Sequence, residues 1–400
     1  MREKEERDRI KDGMRPKDAA RRNGGSMDLQ ELRAQIDEVD EQIVRLFEKR
    51  MEISGQVARY KIETGKKVFD RTREQEKIAA VQAMTHSDLN RKGAGELFEQ
   101  IMSISRKLQY QILTEKGSIG RLPFIRVPSL EMDRTRVVFQ GAEGAFSQAA
   151  MLQYFGEGIN SFHVDTFRDA FCAIEEGSAD FAVLPIENST AGIVNEIYDL
   201  LVEFENYIVG EQIIRIEHCL LGLPGTKLEE IRTVYSHPQS LMQSARFLSE
   251  HEWRQISLPN NAFAARKVAE DGDRSQAAIA GEYAGKVYGL EVLKKPVNQS
   301  ATNSTRFIII TNQKIFRQDA KKISICFEVP NESGSLYHML SHFIYNNLNM
   351  TKIESRPIEG RNWEYRFFID FDGNLEDSAV KNALRGLRDE ARNMRVLGNY

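Results

Sequence analysis

The sequence predicts a multidomain chain with an all-α N-terminal segment, an α/β centre and an α+β tail. Three observations predict it. Apolar residues recur at spacings of three and four from Leu29 to about Glu115. Short apolar strands alternate with helical segments from Arg134 to about Asn312. From Ile323 onward the order reads strand, helix, strand, strand, helix, strand, the ferredoxin-like pattern. The 400 residues also exceed what one ordinary core holds.

Composition narrows the partners. A formal net charge of −4 gives no global attraction to nucleic acid, so an anionic ligand must be held by local cations. No apolar run approaches the roughly 18 residues that read as a membrane span. Cys172, Cys219 and Cys326 lie far apart without metal-ligand spacing, which reads as buried thiols in a reduced cytoplasm. Residues 1–27 mix charges with almost no large apolar side chain, so they are expected to form a disordered extension. The remaining expected boundaries are 28–115, a proline-containing linker at 116–133, 134–313 and 321–400.

In the helical segment, Leu29, Leu32, Ile36, Val39, Ile43 and Leu46 form a coiled-coil-like seam that continues through Ile53, Val57 and Tyr60. A helix of more than thirty residues has too little chain beside it to cover that seam, so a partner protomer is expected. Arg50 stands in the seam, and Lys61 follows about three turns later on nearly the same face. On spacing alone these are snorkelling side chains, cations paired with a neighbour's acids, or the floor of a carboxylate pocket. Arg33 points elsewhere and is a surface residue or a donor to a partner's site. Asp70 can cap the helix that follows it, and Ser105 and Gln109 share one face of a later helix.

Residues 28–115 resemble the all-helical chorismate mutases, which are intertwined dimers, through Arg33, Arg50, Lys61, Asp70, Arg73, Glu74, Ser105 and Gln109. The resemblance implies that Arg33, from the partner, and Arg50 bind the two carboxylates of chorismate. Lys61 and Gln109 would donate to the ether oxygen and Glu74 would take the substrate hydroxyl. Arg73, Asp70 and Ser105 would line the pocket. The rearrangement to prephenate is intramolecular, so positioning and charge stabilisation suffice.

Four motifs mark the α/β segment. Gly141 to Ser147 follows a strand and opens a helix, a tight turn or an anion-binding loop. Pro185 to Gly192, with Glu187, Asn188 and Ser189, follows a strand at the end where α/β ligands gather. Ser236-His237-Pro238-Gln239 has the same strand-to-loop setting, and Asn303 to Phe307 leads into another strand. Each has a plain alternative as a turn, cap or surface pair. Together they resemble prephenate dehydratases, which implies two lobes around a cleft like a periplasmic binding protein, the second lobe spanning roughly residues 210–300. By that resemblance Thr305 donates to the departing hydroxyl and Glu187, Asn188 and Gln239 orient prephenate. Arg306 or the Gly144–Ser147 loop meets its carboxylates, with Ser189 and Phe307 beside them. His237 is read as structural rather than as the acid. The family needs no metal and no cofactor.

Residues 321–400 resemble an ACT domain of the dehydratase type through Gly334-Ser335-Leu336 and Thr351 to Pro357. That implies a phenylalanine pocket between paired domains, with Gly334 and Leu336 holding the amino acid and Glu354, Ser355, Arg356 and Pro357 shaping the wall. A dimer contact alone would explain the same residues. The combined expectation is a cytoplasmic, homo-oligomeric enzyme acting on chorismate and then prephenate, with phenylalanine as effector and no nucleic-acid or membrane partner. A small-molecule sensor, or an enzyme with one silent domain, is the alternative.

Overall fold

The computed structural model describes residues 28–116 and 123–400, so the expected disorder of residues 1–27 lies outside the described residues. The chain begins with three helices, α1 (Leu29–Thr64), α2 (Arg71–Ala83) and α3 (Asp88–Glu115). Each start has its cap. Asp28, Asp70 and Ser87 accept hydrogen bonds from the amides of Gln30, Arg73 and Asn90, groups that have no partner inside the helix. Gly65, at φ 67°, ends α1 in the left-handed conformation that a side chain disfavours.

At 36 residues α1 runs about 54 Å. Only its C-terminal part is covered, where Ala58 packs with Val68, Tyr110 and Leu113. Leu46 stays 67 % exposed, and Ile36, Val39, Ile43 and Ile53 are more than half exposed. No helix among the described residues is long and apolar enough to cross a membrane.

The expected linker contains a strand, β1 (Ile125–Val127). A first lobe then assembles from β2 (Arg136–Gln140), α4 (Phe146–Phe155), β3 (Asn160–Val164) and α5 (Phe167–Glu175). It continues with β4 (Phe181–Asn188), β5 (Gly192–Ile193), α6 (Asn195–Glu203) and β6 (Tyr207–Arg215). The second lobe starts at β7 (Cys219–Gly222), later than expected, because β6 pairs within the first lobe. It includes β8 (Thr233–Ser236), α7 (Pro238–Gln243), α8 (Ala245–Leu248) and β9 (Arg254–Ser257). It closes with α9 (Asn261–Asp271), β10 (Gln276–Ala280), α10 (Glu282–Tyr288) and β11 (Glu291–Lys294). Its sheet is ordered β11-β7-β10-β8-β9.

The chain returns to the first lobe with β12 (Ser304–Thr311), which lies between β4 and β6. Next, β13 (Ile315–Arg317) pairs in parallel with β1. The tail is β14 (Lys322–Glu328), α11 (Ser335–Tyr345), β15 (Met350–Pro357), β16 (Tyr365–Asp372), α12 (Ser378–Glu390) and β17 (Arg392–Asn399). Its strands stand in the order β15-β16-β14-β17, with α11 and α12 packed over a core of Ile323, Phe327, Phe343, Phe371 and Leu387.

Two features were invisible in the strand pattern. First, β17 joins β6, so the tail and the first lobe share one ten-stranded sheet. The junction is the pair Gly398 and Ile208, where any Cβ on residue 398 would collide with the Ile208 carbonyl oxygen. Second, α3 packs against α11 and α12, so the helical segment rests on the tail.

Gly398→Ala should therefore lower the melting temperature by about 3 °C or more. Gly93→Ala, on an open face of α3, should leave it unchanged or raise it slightly. Calorimetry of both variants checks this; equal melting temperatures for Gly398→Ala and wild type would mean that the strand junction tolerates a side chain.

Candidate functional sites

The helical segment gathers most of its expected residues at the α1–α2–α3 junction. An Nη1 hydrogen of Arg50 is donated to the Ser105 hydroxyl, which itself donates to the Ile101 carbonyl at 2.9 Å. Lys61 Nζ donates to the Val68 carbonyl at 2.7 Å. Burial lowers the pKa of both cations; Glu74 opposes this at Arg50, and Asp70 and Glu74 oppose it at Lys61. Gln109 is buried and its Oε1 has no hydrogen-bond partner among the described residues.

Two expected residues have exposed side chains. Arg73 contributes its backbone amide to Asp70. Arg33 is exposed and about 25 Å along α1 from Arg50, too far for its own chain's site. One residue was missed. Arg106, buried between Ser105 and Gln109 in sequence, pairs with Glu74 on one side and Glu390 of α12 on the other. Its neighbours in α3 gave no warning, because the cover over that face comes from the tail.

In the α/β segment the strand register sorts the motif residues. Thr305 stands opposite Asn188, and Arg306 opposite Glu187, on antiparallel β12 and β4. Successive side chains on a strand point to opposite faces. Asn188 Nδ2 donates to Thr305 Oγ1 at 2.9 Å and to Asn303 Oδ1 at 2.8 Å. Asn188 Oδ1 accepts from the amides of Thr190 and Ala191, which locks the side chain. Among the described residues no acceptor takes the Thr305 hydroxyl proton.

Gln243 on α7 brings the second lobe to this point. It donates to Thr190 Oγ1 at 2.8 Å, accepts from Asn303 Nδ2 at 3.0 Å, and contacts His218 Nε2 at 2.9 Å. His218 in turn meets the Phe146 ring edge-on at 5.8 Å, which ties in the glycine loop. Gln243 was not singled out from sequence, although it lies four residues after Gln239 on the same helical face. Ser147 is buried and its hydroxyl donates to Gln140 O at 2.6 Å. Gly144, at φ 83°, allows its loop to approach the backbone of Ala284 in the second lobe. A cavity of about 190 Å³ opens between the lobes there, lined by Gly144 to Phe146, Arg215 and Gly281 to Tyr283.

The other expected residues serve different contacts. Ser189 links the two loops, donating to Thr302 O and accepting from the Ser304 amide. His237 caps α7 through Nδ1, and burial lowers its pKa. Phe307 is buried in the core with Val137, Phe139 and Ile309, so it supports the strand and does not line the cleft. Arg306 and Glu187, expected beside Thr305, face the tail instead, because strand alternation turns them away. Arg306 meets Glu187 at 3.3 Å, Glu211 at 3.3 Å and Asp370 at 3.0 Å. Lys352 of β15 also pairs with Glu187.

The tail residues divide likewise. Gly334, at φ 79°, forms the turn into α11, with Leu336 half-buried just after it. Glu354 lines a cavity of about 520 Å³ with Arg306, Lys322, Lys352 and Asp370. Arg356 pairs with Asp199 of α6 at 2.6 Å, while Ser355 and Pro357 are exposed on edge strand β15. No hydrogen bond or ion pair joins the Gly334–Leu336 turn to residues 354–357 among the described residues.

Comparison with known proteins agrees with this division. The family model for chorismate mutase type II matches residues 32–110, and that for prephenate dehydratase matches residues 137–315. The curated bifunctional chorismate mutase/prephenate dehydratase of Stutzerimonas stutzeri is 34% identical over 379 residues, covering 93% of this chain and 97% of that one. A solved prephenate dehydratase from Arthrobacter aurescens, in complex with L-Phe, has 29% identity and a TM-score of 0.62. It covers 66% of this chain and 89% of its own. A solved structure described as a novel type of quorum quenching acylase, GqqA, has 33% identity and a TM-score of 0.60, covering 66% of this chain and 97% of its own. One α/β scaffold thus carries more than one described chemistry, and the site residues must decide. With mutase helices at one end, a Thr305–Asn188 pair at the lobe junction and a full-length match to such relatives, this chain belongs to the bifunctional chorismate mutase/prephenate dehydratase family.

Proposed function

We infer that the chain converts chorismate to prephenate in its helical site and prephenate to phenylpyruvate at the lobe junction, two steps of phenylalanine biosynthesis. The observation that carries the second step is the half-satisfied Thr305 hydroxyl. Asn188 donates to its oxygen, which orients the hydroxyl and leaves its proton for a ligand. In the reaction the bond from ring to carboxylate breaks, its electrons aromatise the ring, and the ring hydroxyl departs. Carbon dioxide leaves, and the departing hydroxide becomes water by taking a proton from solvent. A hydrogen bond from Thr305 to the departing oxygen stabilises the charge that develops there. Gln243, fixed by Asn303 and Thr190, holds the lobes together around the substrate.

For the first step, Arg50 suits a carboxylate as a forked cation and Lys61 and Gln109 suit the ether oxygen. Glu74 suits the substrate hydroxyl. The exposed seam of α1 favours an intertwined homodimer in which Arg33 reaches the partner's site. In the tail, the strand order is that of a ferredoxin-like ACT domain. The L-Phe complex of the Arthrobacter protein supports phenylalanine as the effector, and the motif resemblance assigns it to Gly334, Leu336 and the Glu354–Pro357 stretch. Because those stretches do not meet within one chain, the pocket fits between two copies. Inhibition then requires phenylalanine to bind the inactive arrangement more tightly than the active one.

Thr305→Ala should reduce phenylpyruvate formation by about 100-fold or more while leaving chorismate loss nearly intact. Arg50→Ala should abolish chorismate loss yet process supplied prephenate normally. Loss of both activities in either folded variant would sink the separate-site assignment. Mixed Arg33→Ala and Arg50→Ala chains should regain part of the mutase activity, since one of the two hybrid sites then keeps both arginines. No recovery after demonstrated subunit exchange would count against the intertwined dimer.

Lys61 must be protonated to donate, and burial lowers its pKa below the ordinary lysine value of 10.5. Mutase kcat/KM should therefore be flat through neutrality and fall as pH rises through a value below 10.5. A profile that stays flat beyond the ordinary lysine range would remove Lys61 from this role.

A further inference from the structure

Arg106 is a buried cation beside the helical site, and its partners come from two parts of the chain. Its side chain is 7 % exposed and that of Glu390, on the last turn of α12, is 4 % exposed. Nη1 serves Glu74 Oε2, while Nε and Nη2 both serve Glu390, at 2.9 and 3.4 Å. The guanidinium therefore spends most of its fork on Glu390 and grips Glu74 by one oxygen only. Among the described residues nothing donates to the second oxygen of Glu74, which is available to accept a hydrogen bond.

Glu390 is built to remain ionised there. Burial would raise its pKa, but His342 and Arg106 outweigh that and hold it down at about 2. His342 Nε2 lies 3.3 Å from Glu390 Oε1, and its ring rests against Gly386, where a side chain would collide with it. The tail also grips α2 directly, through an ion pair of 2.5 Å between Glu332 and Arg71.

We propose that Arg106 is a positioning residue of the mutase site, and that Glu390 of the tail sets it, so that the tail completes a site it does not itself line. The inference rests on the reading of Glu74 as the acceptor of the substrate hydroxyl. Neutralising Glu390 leaves Arg106 buried with one carboxylate. The guanidinium then turns onto both oxygens of Glu74, which is lost to the substrate. An interaction shared by ground and transition states shows mainly in KM.

The test uses the full-length protein and chorismate, with supplied prephenate as an internal control. Glu390→Gln should lower mutase kcat/KM about tenfold, chiefly by raising KM, with dehydratase activity unchanged. Arg106→Lys, which keeps the charge, should lose less than Arg106→Met. In a double-mutant cycle, Glu390→Gln should add little once Glu74→Gln is present, whereas a purely structural role would make the effects additive. Mutase kinetics for Glu390→Gln within twofold of wild type, while Glu74→Gln is impaired, would overturn the proposal. A Glu74→Gln protein as fast as wild type would remove the site reading itself, and the proposal with it.

Discussion

The architecture turns on one buried guanidinium. Arg306 lies within 3.3 Å of Glu187 and Glu211 from the first lobe and 3.0 Å of Asp370 from the tail. Burial opposes its charge, yet Tyr400, Asp370, Tyr198 and Glu211 around it hold its pKa above the ordinary arginine value. Removing one partner from so enclosed a cluster leaves the others uncompensated, which typically costs about 3–5 kcal/mol. The strand geometry then does the rest. With Arg306 turned to the tail, its neighbour Thr305 must face the other way, beside Asn188. Anchoring the tail and presenting the hydroxyl are one structural decision.

That coupling explains why the tail is not a loose appendage. It continues the first lobe's sheet through Gly398, where only a glycine fits against Ile208. Lys352 and Arg356 of its edge strand hold Glu187 and Asp199. Movement of β15 therefore bears on Glu187, next in sequence to Asn188, whose side chain orients Thr305. On its opposite side the tail carries α11 and α12, which meet α3 of the helical segment. Lys107 shows how dry that contact is: its ammonium donates to Ser341 at 2.9 Å, and burial lowers its pKa to about 8 although Glu390 opposes the shift.

The lobe junction is looser by design of its contacts. Gln243 reaches the first lobe through neutral hydrogen bonds to Thr190 and Asn303, and the glycine loop touches Ala284 without a side chain between them. Such neutral hydrogen bonds contribute about 1 kcal/mol each, small enough for opening and closing around a ligand. The tail-side face of β12 is held by ion pairs and the cleft side by neutral hydrogen bonds.

Much of this was legible in the amino-acid sequence. Period and strand-helix order located the three segments, because burial of one apolar face imposes spacing on a helix or strand whatever it packs against. The Thr305 and Asn188 motifs and the Arg50, Lys61, Ser105 and Gln109 set were named through family resemblance, since their positions alone also fit caps, surface pairs or core polar residues. Tertiary structure alone decided the rest. It turned Arg306 and Glu187 away from Thr305, put Phe307 in the core, exposed Arg73, and brought Gln243 and Arg106 to the sites. Those outcomes depend on which distant segment covers a given face: Asp370 lies 64 residues beyond Arg306, and Glu390 lies 284 beyond Arg106. Local spacing states which residues share a face, but the partner of that face is chosen by long-range packing.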